Sequence, residues 1–179
     1  DVVIEGNRFE SLGARPAGDF DEVIACQGRR AIVPPFYNAH THAAMTLLRG
    51  YADDVELAEW LTDHIWPAEA QLTTEDIYAG SRVAILEMIK SGTVFFNDMY
   101  WDQPATVRAA TEMGVRAAIG LLYLSGGDGE TNPRSARSNA ELLEMAPDLP
   151  GCILIAAAPP AVYTVPEARL RAAAESANQ

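Results

Sequence analysis

The chain has 179 residues, 49% of them hydrophobic, and its 25 acidic against 13 basic side chains give a formal net charge of −12. This is the composition of a soluble globular protein, and the scattered Lys and Arg form no cluster of the kind that binds nucleic-acid phosphates. No apolar stretch approaches the roughly 20 residues of a membrane span, and Asp1 to Glu10 lacks a basic cluster and a signal-peptide core.

In chain order, residues 1–30 carry short apolar runs, Val2-Val3-Ile4 and Val23-Ile24-Ala25-Cys26, separated by Gly6-Asn7, Gly13 and Pro16-Ala17-Gly18. That pattern predicts a small antiparallel sheet. The run opens directly on a strand without an initiating Met, as a start trimmed by a few residues would. From Ala31 the rhythm changes to strand followed by helix, the signature of parallel β/α architecture. The predicted strands are Ala31 to Pro35 running into Phe36–His40, Thr93 to Phe96 leading into Asn97-Asp98, Val115 to Tyr123, and Cys152 to Ala158. The predicted helices are Val55 to Ile65, Thr74 to Lys90, Pro104 to Met113, Ser135 to Met145, and a last one from about Pro166. Thr73 or Thr74, with Glu75, supplies a helix start, Gly92 and Gly114 supply stops, and Ser125 to Arg134 reads as a loop. Cys26 and Cys152 lie far apart in apolar surroundings, which predicts reduced thiols and a cytoplasmic protein.

The fold class expected is therefore α/β. Residues 31–179 would form about the first four units of a (β/α)8 TIM barrel, and residues 1–30 part of a small β-sandwich domain. A complete barrel needs about 250 residues, so four units leave two strand edges and a large apolar face open. Either the chain is a fragment, or another chain supplies the missing half.

The sharpest local feature is Asn38-Ala39-His40-Thr41-His42 at the predicted end of the first barrel strand. Side chains two apart on a strand point the same way, so both imidazoles can face one point, and neutral imidazole is a common ligand for zinc and similar ions. Active sites of barrels also lie at these carboxyl-terminal strand ends. On spacing alone, a pair of polar residues at the start of a loop is an equally open reading.

The flanks narrow the choice. Pro34-Pro35-Phe36-Tyr37-Asn38-Ala39-His40-Thr41-His42-Ala43-Ala44-Met45-Thr46-Leu47-Leu48-Arg49-Gly50 closely resembles the opening motif of amidohydrolases, in the branch of the methylthioadenosine/S-adenosylhomocysteine deaminases and the chlorohydrolases. The likeness continues through Tyr51-Ala52-Asp53-Asp54, Trp60-Leu61, His64–Ala70 and Phe96–Tyr100, and so covers essentially the whole chain. The resemblance implies that His40 and His42 are the first two ligands of one divalent ion, zinc first, with iron, nickel and cobalt also suited to imidazole. It implies two further ligands, a histidine and an aspartate, from later strands, and a glutamate after that histidine as proton shuttle; all would lie beyond Gln179. Metal-bound hydroxide would then attack the carbon carrying the amino group and release ammonia. On this reading the chain alone binds metal weakly and catalyses nothing.

By the same resemblance Glu69 accepts hydrogen bonds from the ribose hydroxyls of the substrate, a role that suits the two oxygens of a carboxylate. Arg134, with Arg137 close by, sits near the place of an arginine that holds a substrate carboxylate. A solvated residue at a helix start is the alternative for Glu69, and a surface arginine for Arg134. His64 is read as structural, Trp60 and Trp66 as an apolar wall or as core, and Asp98 as a strand-end residue that orders neighbouring loops through hydrogen bonds. Two departures stand out: Pro159-Pro160-Ala161-Val162-Tyr163-Thr164 puts Pro160 where the family carries a substrate-contacting histidine, and Leu121 stands in a run where some members use an arginine. The partner expected is a small heterocyclic substrate, with no nucleic acid and no membrane, and the assembly a homodimer. The leading activity is an aminohydrolase of adenosine-type or related heterocycles; a heteroaryl chlorohydrolase and a degenerate, non-catalytic relative are the alternatives.

Overall fold

The parallel sheet begins where the sequence stops offering proline. Pro34 and Pro35 have no N–H to give a ladder, and the computed structural model starts strand β3 at Phe36, running to Thr41. The structure describes residues 1–124, 132–160 and 165–177. By its internal contacts the chain divides into two units, Asp1–Pro34 and Pro35–Gln179.

In the first unit β1 (Val2–Glu5) and β2 (Arg8–Leu12) form an antiparallel hairpin around Gly6-Asn7. Gly6 takes φ 59°, which a residue without Cβ adopts at no steric cost. Val23–Cys26, expected as a strand, joins no sheet among the described residues, and Val23 and Ile24 are exposed. Ala31–Pro35 likewise forms no strand, with Ile32 and Val33 exposed.

The second unit is a parallel sheet in the order β3-β4-β5-β6, with β4 at Thr93–Asp98, β5 at Arg116–Leu122 and β6 at Ile153–Ala158. After β3 comes a 3-10 turn (Ala43–Leu48), then a helical stretch made of α1 (Leu57–Glu59), a π turn (Trp60–Ile65) and α2 (Trp66–Glu69). The π turn has a local cause. Pro67 lacks an N–H and its ring crowds the carbonyl one turn back, and the preceding Trp66 N–H reaches Leu61, five residues away.

The three crossover helices are α3 (Thr74–Ser91), α4 (Gln103–Met113) and α5 (Pro133–Met145), and α6 (Glu167–Ser176) follows β6. Thr73 caps α3 in a reciprocal box with Asp76, so the helix start falls where expected but with Asp76, not Glu75, as the acidic partner. Gly92 and Gly114 end α3 and α4 in the left-handed conformation. Of the expected Ser125–Arg134 loop, residues up to Thr131 lie outside those described, and Asn132 is already the cap of α5, accepting from the Arg134 and Ser135 N–H groups.

β5 is buried along nearly its whole length, the continuous apolar run of a strand covered on both faces. Ile85, Phe96, Val107, Ala110, Ile119, Leu142 and Ile153 form the core between sheet and helices. Among the described residues no helix is long and apolar enough to cross a membrane.

One close approach fixes the chain just beyond β3. Gly80 lies against the 3-10 turn, and a Cβ there would come within 2.7 Å of the Ala44 carbonyl oxygen and 2.9 Å of Leu47 Cγ. Thr46 Oγ1 locks the same contact by donating to Gly80 O at 2.9 Å. Gly80→Ala gains about 1 kcal/mol of helix propensity, but the clash is with backbone and the cost of overpacking is about 1 to 3 kcal/mol. Net destabilisation is expected in urea unfolding; a gain in stability would show that the turn is free to move.

Candidate metal centre and its surroundings

β3 delivers His40 and His42 to one end of the sheet, the end where β4 finishes at Asp98. Their rings stand 4.9 Å apart between centroids, nearly perpendicular at 80°, with His40 exposed and His42 half-buried. The neighbouring strand end holds His42 in place. Its Nδ1 lies 2.6 Å from the Met99 carbonyl oxygen. A carbonyl can only accept, so Nδ1 carries a proton, and in the neutral ring Nε2 then keeps its lone pair, the arrangement in which imidazole ligates a metal. Met99 is itself tied back to β3, its N–H donating to Thr41 O at 3.1 Å.

Asp98 completes this junction. It is buried, 1% exposed, and its Oδ1 accepts the Ala43 N–H at 2.7 Å, which fixes the backbone directly after His42. Burial raises its carboxyl to about 7, and the Ala43 hydrogen bond opposes that rise. The expected role of Asp98, ordering a neighbouring loop, is what this bond performs. Among the described residues no three His, Cys, Asp or Glu side chains converge as a metal-binding group.

Glu69 occupies the last turn of α2 and is 7% exposed. It is therefore not a solvated helix-start residue. Its Oε2 accepts the Trp101 Nε1–H at 3.1 Å. Arg134 is close by, but its donors are directed at the protein. Nε and Nη2 reach Asp102 at 3.3 and 2.9 Å, Nη1 reaches the Glu69 backbone oxygen at 3.1 Å, and Nη2 also reaches Leu72 O at 3.0 Å. Its guanidinium carbon stands 5.1 Å from the centre of the Trp101 ring. Arg137 approaches Asp102 only at 3.9 Å and is mostly exposed.

Tyr100 sits between the two groups, its ring 6.0 Å from that of His42. It is 5% exposed, and its Oη is the one buried side-chain polar atom without a hydrogen-bond partner among the described residues. Burial, then the nearby charge of Glu69, pushes its phenol well above the usual tyrosine range, so it stays protonated and a donor. His64 packs edge-on against Tyr51, consistent with a structural role, and Trp60 donates to Tyr51 O at 3.4 Å. Trp66 is half-exposed and not core. The sequence reading passed over Tyr100, Trp101 and Asp102, although their place directly after a strand ending in Asp98 was a usable signal. Pro160 is described, while Ala161–Thr164, the rest of the departing motif, lie outside the described residues.

Comparison with known proteins places this geometry. The amidohydrolase family model matches residues 31–179. The 5-methylthioadenosine/S-adenosylhomocysteine deaminase 1 of Archaeoglobus fulgidus is 41% identical over 179 residues, covering 98% of this chain and 41% of the relative. The 5'-deoxyadenosine deaminase of Methanosarcina mazei is 52% identical over 125 residues, covering 69% of this chain and 29% of the relative. The crystal structure of a zinc-bound adenosine deaminase from Xanthomonas campestris superimposes with a TM-score of 0.72 at 35% identity, over 82% of this chain and 34% of that one. The chain thus spans well under half the length of the proteins it matches. By the family match over residues 31–179, the chain belongs to the amidohydrolase family.

Proposed function

We propose that this chain supplies the first two metal ligands and part of the substrate pocket of an aminohydrolase acting on adenosine-type substrates. The observation that carries this is the His42 Nδ1–Met99 O bond, which leaves Nε2 free beside the His40 ring. The donor set fits a divalent ion that accepts imidazole, zinc first, as in the zinc-bound neighbour. When bound, such an ion acts as a Lewis acid and lowers the pKa of a water it holds. His40 and His42 would orient it, and the β3–β4 junction would keep both rings at the carboxyl ends of the strands. The parallel sheet is read as the first half of a (β/α)8 barrel, and the hairpin unit, residues 1–30, as part of a small β-sandwich. The remaining ligands and the proton shuttle would come from residues outside this chain.

Glu69 would accept two O–H donors from a vicinal diol, as on a ribose. The two curated relatives described above are deaminases of adenosine derivatives by name, which favours that substrate class over a heteroaryl chloride. Arg134 flanks the same carboxylate; as a ligand for a substrate carboxylate it would have to give up one of its bonds within the protein. A cytoplasmic homodimer acting on a small molecule completes the proposal, supported by the two free cysteines and the family resemblance.

The test is ammonia release by the complete gene product from 5'-methylthioadenosine, 5'-deoxyadenosine and S-adenosylhomocysteine. Turnover should require a divalent ion, vanish on chelation and return with zinc. His42→Ala should lose both bound metal and activity. Full metal content and turnover in that variant would overturn the assignment. Glu69→Gln should lower kcat/KM for adenosine-type substrates by roughly tenfold or more, the size of one hydrogen bond to a charged group; unchanged kinetics would remove Glu69 from the site.

A further inference from the structure

We infer that Trp101 and Arg134 are positioning residues that aim the Glu69 carboxylate into the substrate pocket, with Asp102 as the anchor of Arg134. The inference rests on the reading of Glu69 as the acceptor of the substrate diol.

Glu69 is held at two places. Trp101 fixes the side chain by donating to Oε2 at 3.1 Å. Arg134 fixes the backbone by donating to Glu69 O at 3.1 Å, at the end of α2, and to Leu72 O at 3.0 Å, three residues beyond it. Asp102 sets Arg134 through a two-point pair at 3.3 and 2.9 Å, and this aspartate is 7% exposed. It also adopts a left-handed conformation, φ 46° and ψ 53°, uncommon for a residue with a side chain. Thr74 Oγ1 adds a longer contact to it at 3.4 Å.

The chemistry favours positioning over direct binding. Arginine has five N–H donors, and four directed bonds from Arg134 end on Asp102, Glu69 O and Leu72 O. Trp101 donates to Oε2 of Glu69, and the Tyr100 phenol lies against the same carboxylate. A buried carboxylate held through one oxygen is aligned for a ligand hydroxyl, and the Tyr100 phenol, buried and kept protonated, lies beside it. A support of this kind matters because a site set by a loosely held side chain loses most of its orientation.

The experiment measures the diol preference, the ratio of kcat/KM for adenosine to that for 2',3'-dideoxyadenosine, in the complete metal-loaded enzyme. Glu69→Gln should collapse the ratio by roughly tenfold. Trp101→Phe, which keeps the ring and removes the donor, and Arg134→Lys, which keeps the charge and loses the fork, should each lower it by roughly threefold to tenfold. In Trp101→Phe, dideoxyadenosine turnover should fall less than adenosine turnover. A purely structural role would lower both substrates together and leave the ratio unchanged, and that result in Trp101→Phe and Arg134→Lys, with Glu69→Gln still losing the preference, overturns the inference alone. An unchanged ratio in Glu69→Gln overturns the diol reading and the inference with it. If Arg134→Lys shows no cooperative melting transition, Trp101→Phe decides by the same ratio.

Discussion

The candidate centre depends on a hydrogen bond between two adjacent strand ends, from His42 Nδ1 to the Met99 carbonyl. His42 lies one residue past the end of β3, where a side chain would otherwise sample several rotamers and both tautomers. The bond removes that freedom, and it does so with backbone, which has no rotamer of its own to lose. The Met99 N–H to Thr41 O bond and the Ala43 N–H to Asp98 bond secure the two partners from either side. A ring held this way presents Nε2 in a fixed direction, which is what a metal ligand requires.

The second half of the site follows a different physical rule. A carboxylate that is almost fully buried loses much of its hydration, and it needs donors in compensation. Trp101 supplies one from its indole N–H. The charge of Arg134 lies close but is shared with Asp102, a pair with side chains 23% and 9% exposed. Both arms of this bracket come from the turn after β4 and the first turn of α5, so the helical segment bearing Glu69 is pinned to elements on which the sheet is built.

Much of this was legible from residue order. Gly92 and Gly114 marked helix ends because a left-handed residue without Cβ is cheap there, and the apolar run of β5 marked a strand covered on both faces. His40 and His42 stand out because side chains two apart on a strand share a face, and the likeness of their flanks to the amidohydrolases is what makes them ligand candidates. Val23–Cys26 misled because β-branched residues indicate a strand without indicating a partner for it, and Ala31–Pro35 because its apolar pattern concealed two missing donors. The Glu69 bracket was not legible at all. Trp101 and Arg134 lie 32 and 65 residues from their acceptors on Glu69, and only the packed chain brings them together. The π turn was equally hidden, since Pro67 signals a disturbance but not its form.

The most direct test of the central claim is the tautomer of His42, read from long-range proton–nitrogen NMR correlations on the metal-free complete protein, at a pH well above the usual imidazole pKa of about 6.5. The structure predicts the proton on Nδ1 and a bare Nε2. A proton on Nε2, or rapid exchange between both nitrogens, would contradict it, because the Met99 carbonyl would then not be holding the ring as a ligand.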